Sequence, residues 1–170
     1  MATVLPVPIE FRLPEGWQPA PPDEVGAPGV AFIALHPQPD AGFTANITID
    51  GEFRTDSATL TEIADESVQR LLEVDESLVV VSRRDAGSHS APALTQTLSL
   101  SAVVSGAHRH LVQTHVYLSM LDVKNPGKRA VVRLVLTATA AQHDGVLADF
   151  QEFVRSVRPD TGSVPQVPHR

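Results

Sequence analysis

Two segments with helical periodicity frame a run of alternating strands, and this order is the feature that most constrains the fold. The segments lie near residues 59–76 and 144–157. In the first, Thr59 and Glu62 fit a capping box, in which a hydroxyl and a carboxylate satisfy free amides at a helix start. Apolar residues recur at helical spacing in both segments. The order predicts an α+β fold built on one sheet.

The predicted strands alternate apolar and polar residues and have short connections. After an opening strand that starts at Ile9, they cover residues 30–35, 43–53, 78–83, 94–104, 111–121 and 130–139. The last two flank residues 125–128, in which Pro126 and Gly127 fit a type II turn. Sequential strands with such connections pair antiparallel. We therefore predict an antiparallel meander sheet with both helices packed on one face.

Residue parity predicts the two faces of the sheet, since side chains alternate along a strand. In the last three predicted strands the even positions are mostly apolar and the odd positions mostly polar, so we assign the even side to the core. The odd side is then an exposed face rich in hydroxyls, and the apolar residues among them favour a contact surface. The residues of this face predicted to bind a partner are Thr95, Thr97, Ser99, Gln113, His115, Tyr117, Arg133 and Val135.

Length and charge limit the class of protein. The 170 residues are enough for one core, which we place in a single domain over residues 1–158, followed by a disordered Pro-rich tail over residues 159–170. The net charge of −7 gives no general attraction for DNA, so we predict no nucleic-acid partner. Residues 1–85 hold 15 acidic and 5 basic residues, against 5 and 8 in residues 86–170. Either the halves complement each other within the fold, or basic groups form a patch for an acidic partner.

We expect a cytoplasmic protein without a membrane span. Residues 1–9 lack the basic start, the long apolar run and the lipid-accepting cysteine of secretion and lipoprotein signals. No stretch approaches the ~18 apolar residues of a transmembrane helix. Cysteine is absent from the chain, which excludes disulfide and thiolate chemistry.

The histidines are the nearest approach to a metal site. His108 and His110 have the i, i+2 spacing that places two imidazoles on one face of a strand. His115 has the opposite parity and is expected on the other face. We prefer exposed strand-end histidines over a zinc site, and we predict no metal and no cofactor.

No motif indicates a catalytic centre. Ser88 and His89 are sequence neighbours, which cannot easily align as nucleophile and base. Asp144 is interpreted as the cap or first-turn acid of the last helix. The basic pair Arg83 and Arg84 lies at a strand end, where solvated charge is the default.

Three short segments carry a resemblance to a known fold. They are residues 13–17 (Leu-Pro-Glu-Gly-Trp), 43–49 (Phe-Thr-Ala-Asn-Ile-Thr-Ile) and 150–156 (Phe-x-x-Phe-Val-x-Ser). On these and the order of elements, residues 9–158 resemble the Mog1/PsbP-like fold, most closely its actinobacterial LpqN-type proteins. The resemblance implies a non-enzymatic adaptor, since relatives bind a small GTPase, dock onto a photosystem or act as cell-envelope lipoproteins. The start of this chain departs from the envelope members, which carry a leader and a lipidated cysteine.

One main hypothesis and one alternative follow. The main hypothesis is a non-catalytic adaptor that binds a protein partner, or a second copy of itself as a homodimer, through the exposed sheet face. The alternative is a small-ligand or lipid-binding protein with a pocket between the sheet and the helices, which a core of aliphatic side chains would suit.

Overall fold

The computed structural model describes residues 4–27, 29–88, 91–104, 106–121 and 129–159. They confirm the α+β class. The elements, in chain order, are β1 (Ile9–Glu10), β2 (Gln18–Ala20), a 3₁₀ turn (Pro22–Val25), β3 (Phe32–Leu35), β4 (Asn46–Arg54), α1 (Leu60–Leu72), β5 (Val79–Gly87), β6 (Pro92–Val104), β7 (Ala107–Leu121), β8 (Arg129–Thr139), α2 (Ala140–Ser156) and β9 (Arg158–Pro159).

The main sheet has seven strands in the order β2-β3-β4-β8-β7-β6-β5, and β1 pairs with β9 in a separate ribbon. All of these pairs are antiparallel. Strands β5 to β8 form the predicted meander. Strand β4 lies beside β8, so the chain that leaves β4 crosses the sheet through α1 and enters at the far edge as β5. The edges of the sheet are therefore β2 and β5.

The two helices lie on opposite faces of the sheet, so the prediction that both pack on one face is wrong. Helix α2 packs on a core that includes Val116, Val132 and Leu134. Helix α1 packs on Tyr117 and Val131. Since consecutive residues of a strand point to opposite faces, each side of the sheet carries one helix.

The register of β6 and β7 explains the error. Val104 pairs with Ala107, so each even residue of β6 is opposite an odd residue of β7, as Leu94 is opposite Tyr117. Strands β7 and β8 keep the same parity. Grouping the even positions of all three strands therefore combined two different faces, because register decides which side chains share a face.

The helix starts differ in how well local patterns predict them. The predicted capping box of α1 is confirmed: the Glu62 amide donates to the Thr59 hydroxyl at 3.1 Å, and the Thr59 amide donates to the Glu62 carboxylate at 2.9 Å. Helix α2 begins earlier than predicted, and Thr139 caps it by accepting from the Gln142 amide. The interpretation of Asp144 as the cap or first-turn acid of this helix is therefore wrong. The sequence does not show the true start, because the first turn of α2 carries no apolar stripe.

Several predicted features lie outside the described residues. They are the turn at 125–128, His89, and residues 160–170 of the predicted tail. Pro159, the first residue of that tail, pairs with Ile9 in the β1–β9 ribbon. The division into one domain and a tail stays a prediction. Within the described ranges, no helix has the length and apolar character to cross a membrane.

Candidate functional site

The residues predicted to share one exposed face are divided between the two faces of the sheet. The prediction of a single exposed face is therefore wrong. Thr95 and Thr97 line a groove beside α2, together with residues of that helix. On the α1 side, His115 and Tyr117 are only 1% exposed and Val135 is 5% exposed, which leaves them out of a partner's reach. The full division places Thr95, Thr97 and Ser99 on the α2 side, and Gln113, His115, Tyr117, Arg133 and Val135 on the α1 side.

Beneath α1, polar side chains form a continuous hydrogen-bonded chain across the sheet. The Arg83 guanidinium donates to the Gln96 carbonyl oxygen at 2.7 and 3.0 Å. The Gln96 amide donates to the Tyr117 hydroxyl at 3.3 Å. That hydroxyl lies 3.2 Å from Nδ1 of His115, whose Nε2 lies 2.8 Å from the Gln113 carbonyl oxygen. These buried groups satisfy one another, as buried polar groups in folded proteins do.

The direction of these bonds fixes the state of His115. The Gln113 amide donates to the Thr137 hydroxyl at 3.1 Å, so its carbonyl oxygen is the atom that faces His115 and can only accept. Nε2 of His115 therefore carries the proton, and Nδ1 accepts from the Tyr117 hydroxyl. Burial, and secondly the positive charge of Arg133, lower the pKa of His115 to about 3. His115 is thus a neutral structural residue at ordinary pH.

Ion pairs hold α1 in place over these hydrogen-bonded side chains. Arg83 donates to Asp65 of α1 at 2.5 Å, so it is not the solvated charge that the sequence indicated. Arg54, at the end of β4, donates to both carboxylate oxygens of Glu66 at 2.9 and 3.0 Å. Bidentate pairing of this kind fixes the orientation of both partners. The α1 side of the sheet is therefore closed at its centre.

The α2 side carries a groove of about 730 Å³ between the helix and the outer part of the sheet. We call it the α2 groove. Its floor is formed by β6 and β7, one wall by α2, and its outer rim by β5. The lining residues are Ala93, Thr95, Thr97, Thr114, Val116 and Leu118 on the floor, Leu147, Phe150, Gln151, Val154 and Arg155 on the helix, and Ser82, Arg84, Ala86 and Gly87 on the rim.

The α2 groove combines apolar walls with a positive rim. Arg84 and Arg155 are exposed, and neither forms an ion pair with another residue in the described part of the chain. Among the described lining residues there is no Asp or Glu. The rim thus reverses the sign of the overall net charge of −7. Guanidinium groups in this setting attract carboxylates and phosphates.

The Thr114 hydroxyl on the groove floor and an imidazole of α2 lie at the distance of a nucleophile and its base. The Thr114 hydroxyl lies 2.8 Å from Nε2 of His143 in α2. The exposed Asp144 carboxylate lies 3.6 Å from His143 Nδ1, which is too far for a hydrogen bond that would orient the imidazole. Thr114 itself is only 6% exposed. We therefore assign this pair the structural role of joining α2 to β7.

The predicted histidine pair lies at the far end of the same face. His108 and His110 are two residues apart in β7, so both lie on the α2 side of the sheet. His115 has the opposite parity and lies on the α1 side, as predicted. Nε2 of His110 lies 2.8 Å from the hydroxyl of Ser99. No three metal-binding side chains cluster anywhere in the described residues.

Sequence patterns do not predict the α2 groove. The sequence indicates only a solvated charge at Arg84. Arg155, Leu147 and Val154 belong to the α2 segment, whose apolar residues form a stripe at helical spacing. A usable signal is the breadth of that stripe. A helix that packs only on β8 and β7 leaves part of its apolar stripe beside the outer strands β6 and β5, where a groove forms. The sequence does not say over which strands α2 lies.

Comparisons with known proteins support the fold. No protein-family model matches the chain, and no curated protein matches it. Among solved structures it is similar to LpqN of Mycobacterium tuberculosis, which is involved in cell envelope biogenesis, with 14% identity and a TM-score of 0.61 over 89% of this chain and 84% of LpqN. It is similar to the Ran-binding protein Mog1p of Saccharomyces cerevisiae, with 15% identity and a TM-score of 0.57 over 91% and 92% of the two chains. It is also similar to cyanobacterial PsbP of Synechocystis, with 15% identity and a TM-score of 0.56 over 89% and 86%.

The chain has the Mog1/PsbP-like fold, and an LpqN-type structure is among its neighbours, as the sequence resemblance predicted. At these identities the likeness concerns the fold alone. Function must be argued from the site itself.

Proposed function

We propose that this protein is a non-catalytic interaction module that holds a segment of a partner protein in the α2 groove. The observation that carries the proposal is the combination of an apolar helix wall with two exposed arginines and no carboxylate among the described lining residues. Such a surface offers apolar contact area together with charges that select a partner.

Two further points support an adaptor. Mog1p, which has the same fold, is a Ran-binding protein. The pair of Thr114 and His143 beside the groove lacks a carboxylate that would orient the imidazole, so it does not form a complete nucleophilic triad with Asp144. Binding is therefore a simpler account of the groove than catalysis.

The proposed contact surface differs from the one predicted from sequence. Thr95 and Thr97 stay in it, because they form part of the groove floor. His115, Tyr117 and Val135 leave it, because α1 and the sheet bury them. Self-association and a cytoplasmic location stay predictions.

Site-specific photo-crosslinking in the host cell tests the proposal. A benzoylphenylalanine at position 151, an exposed position on the α2 wall of the groove, is compared with one at position 74, where Val74 is 86% exposed beside α1. We expect a protein adduct from position 151 only. The protein identified in it, once purified, should lose about tenfold or more in affinity for the Thr97→Trp variant, because the indole fills the groove. A partner that binds Thr97→Trp as tightly as the wild type would contradict the proposal.

The second candidate is binding of a small amphipathic acid in the same groove. The volume of about 730 Å³ lies within the range of about 300–1,000 Å³ that is usual for ligand pockets. Arg84 and Arg155 would hold the acid group, and Leu147 and Val154 would contact the apolar part. Native mass spectrometry of protein purified from its host tests this: a small adduct that Thr97→Trp removes favours the ligand, and a bare mass counts against it.

A further inference from the structure

Strand β5 is an edge strand of the main sheet. No described strand pairs with that side, and every residue of Val79–Gly87 except Arg83 is exposed. The opposite edge, β2, has three residues including Pro19, and Pro21 and Pro22 follow it. Short edges with proline resist pairing, because proline lacks a backbone donor. The contrast makes β5 the edge that is open to another strand.

The part of β5 with an unbroken register is residues 82–87, in which only Gly87 has a positive φ, at +76°. The register with β6 shifts between Val80 and Ser82 and is continuous from Ser82 to Gly87. A shift of this kind twists an edge and discourages pairing at that point. The stretch 82–87 lies beyond it, and no described strand pairs with the backbone donors and acceptors on its outer side.

This stretch also forms the rim of the α2 groove. Ser82, Arg84 and Ala86 alternate along β5, and all three line the groove. A strand added beside β5 follows the same alternation, so every second side chain of it enters the groove. The remaining side chains lie on the α1 side of the sheet.

We infer that the partner binds by strand addition: an extended segment pairs with residues 82–87 and places a carboxylate toward Arg84 and Arg155, with apolar side chains two residues away. This inference rests on the proposed function and adds the mode of binding and the chemistry of the partner. Backbone pairing supplies affinity, and the side chains that enter the groove supply specificity.

Charge favours a different protein over a second copy of this chain. Two copies related by a two-fold axis through paired β5 edges present the same residues to the same side of the joined sheet. Each copy would bring Ser82, Arg84 and Ala86 to the other's groove, which adds a positive charge and no carboxylate. An acidic segment satisfies both arginines.

Linear twelve-residue peptides selected from a random library on the immobilised protein provide the probe. We expect selected peptides to carry an acidic residue. One such peptide is then synthesised as a series with a single backbone N-methyl group at successive positions, and each Kd is measured by fluorescence anisotropy. Strand addition predicts a loss of about tenfold at alternate positions and little change between them, since only alternate amides face β5.

Substitutions in the protein complete the test. Arg84→Glu should weaken the peptide about tenfold, because it repels the carboxylate. Arg12→Glu is the matched control, since Arg12 lies by Ser156 and does not line the groove. Thr97→Trp should abolish binding.

The outcomes separate the inference from the proposed function. Loss of binding in Thr97→Trp without alternation along the N-methyl series overturns strand addition and leaves groove binding intact. Failure to select any peptide, or equal binding to Thr97→Trp, overturns both. A dimer in light scattering that must dissociate before the peptide binds overturns the inference, because a second copy then occupies β5.

Discussion

Replacing Tyr117 by Phe removes one hydroxyl from the polar chain beneath α1, and we expect it to lower the free energy of unfolding by about 1–3 kcal/mol. The hydroxyl accepts from the Gln96 amide and donates to His115 Nδ1. The Tyr117 side chain is 1% exposed, so water does not replace the lost partner. Phe has nearly the volume of Tyr, so the change creates little cavity, and the cost comes from two unsatisfied buried groups.

Urea unfolding followed by Trp fluorescence measures this effect. Trp17 is the single tryptophan and is 4% exposed, so its emission reports loss of the core. We expect a lower midpoint with an unchanged slope, which marks a change in stability and not in the extent of unfolding. Ser119→Ala is the matched control. It removes a hydroxyl two residues along the same face of β7, one without a hydrogen bond to the described residues, and should change stability by less than about 0.5 kcal/mol.

The two-sided architecture makes this prediction easy to refute. If Tyr117 lay on the exposed face that parity predicts, Tyr117→Phe would behave like its control. A change below about 0.5 kcal/mol would therefore show that water reaches this hydroxyl and that α1 does not cover the sheet here. A Gln96→Leu background should shrink the effect, since residues in one network are not additive.

Three further predictions concern pH, backbone and core. His115 has a folded pKa of about 3 against an unfolded value of about 6.5. Its contribution to stability is therefore complete above pH 6.5 and falls by about 1.4 kcal/mol per pH unit as the pH drops toward 3. The urea midpoint should therefore depend less steeply on pH in His115→Gln than in the wild type. An equal pH dependence in the two proteins would contradict the assignment. Gly87→Ala forces a side chain into a backbone with φ +76° and presses its Cβ against the Ala91 carbonyl oxygen. Its Tm should therefore fall further than that of Gly106→Ala, at φ +79° with nothing within 4 Å of the added Cβ. Equal shifts of Tm in the two variants would contradict the close approach. Phe150 lies between α2 and the sheet and is 1% exposed. Phe150→Ala should lower the free energy of unfolding, measured in urea, by about 3–5 kcal/mol. A loss below about 1 kcal/mol would show that α2 packs elsewhere.

Local patterns predicted the elements, because the forces that form them are local. The capping box of Thr59 and Glu62 needs only three residues of separation, and the alternation in β6 to β8 is a pattern within each single strand. The fold followed from the order of these elements. The placement of α1 did not, since β4 pairs with β8 over a long stretch of intervening chain.

The site was harder to predict because polar residues in this protein are not all at the surface. Gln96, His115 and Tyr117 satisfy one another's hydrogen bonds when buried, so their polarity gives no sign of exposure. The groove needs the position of α2 relative to β5, which depends on the register of each intervening pair. Arg84 and Arg155 are far apart in sequence, and only the fold brings both of them to the lining of one groove.

The β1–β9 ribbon holds Ile9 opposite Pro159. Residues paired in this way have Cα atoms about 5 Å apart, so a short Gly-Ser linker can join them into a continuous chain. New ends cut between β4 and α1 would then give a circular permutant in which β5 to β8 are synthesised before β3 and β4. Its refolding would show whether the meander can form before its neighbours, a question about the order of assembly that the native connectivity hides.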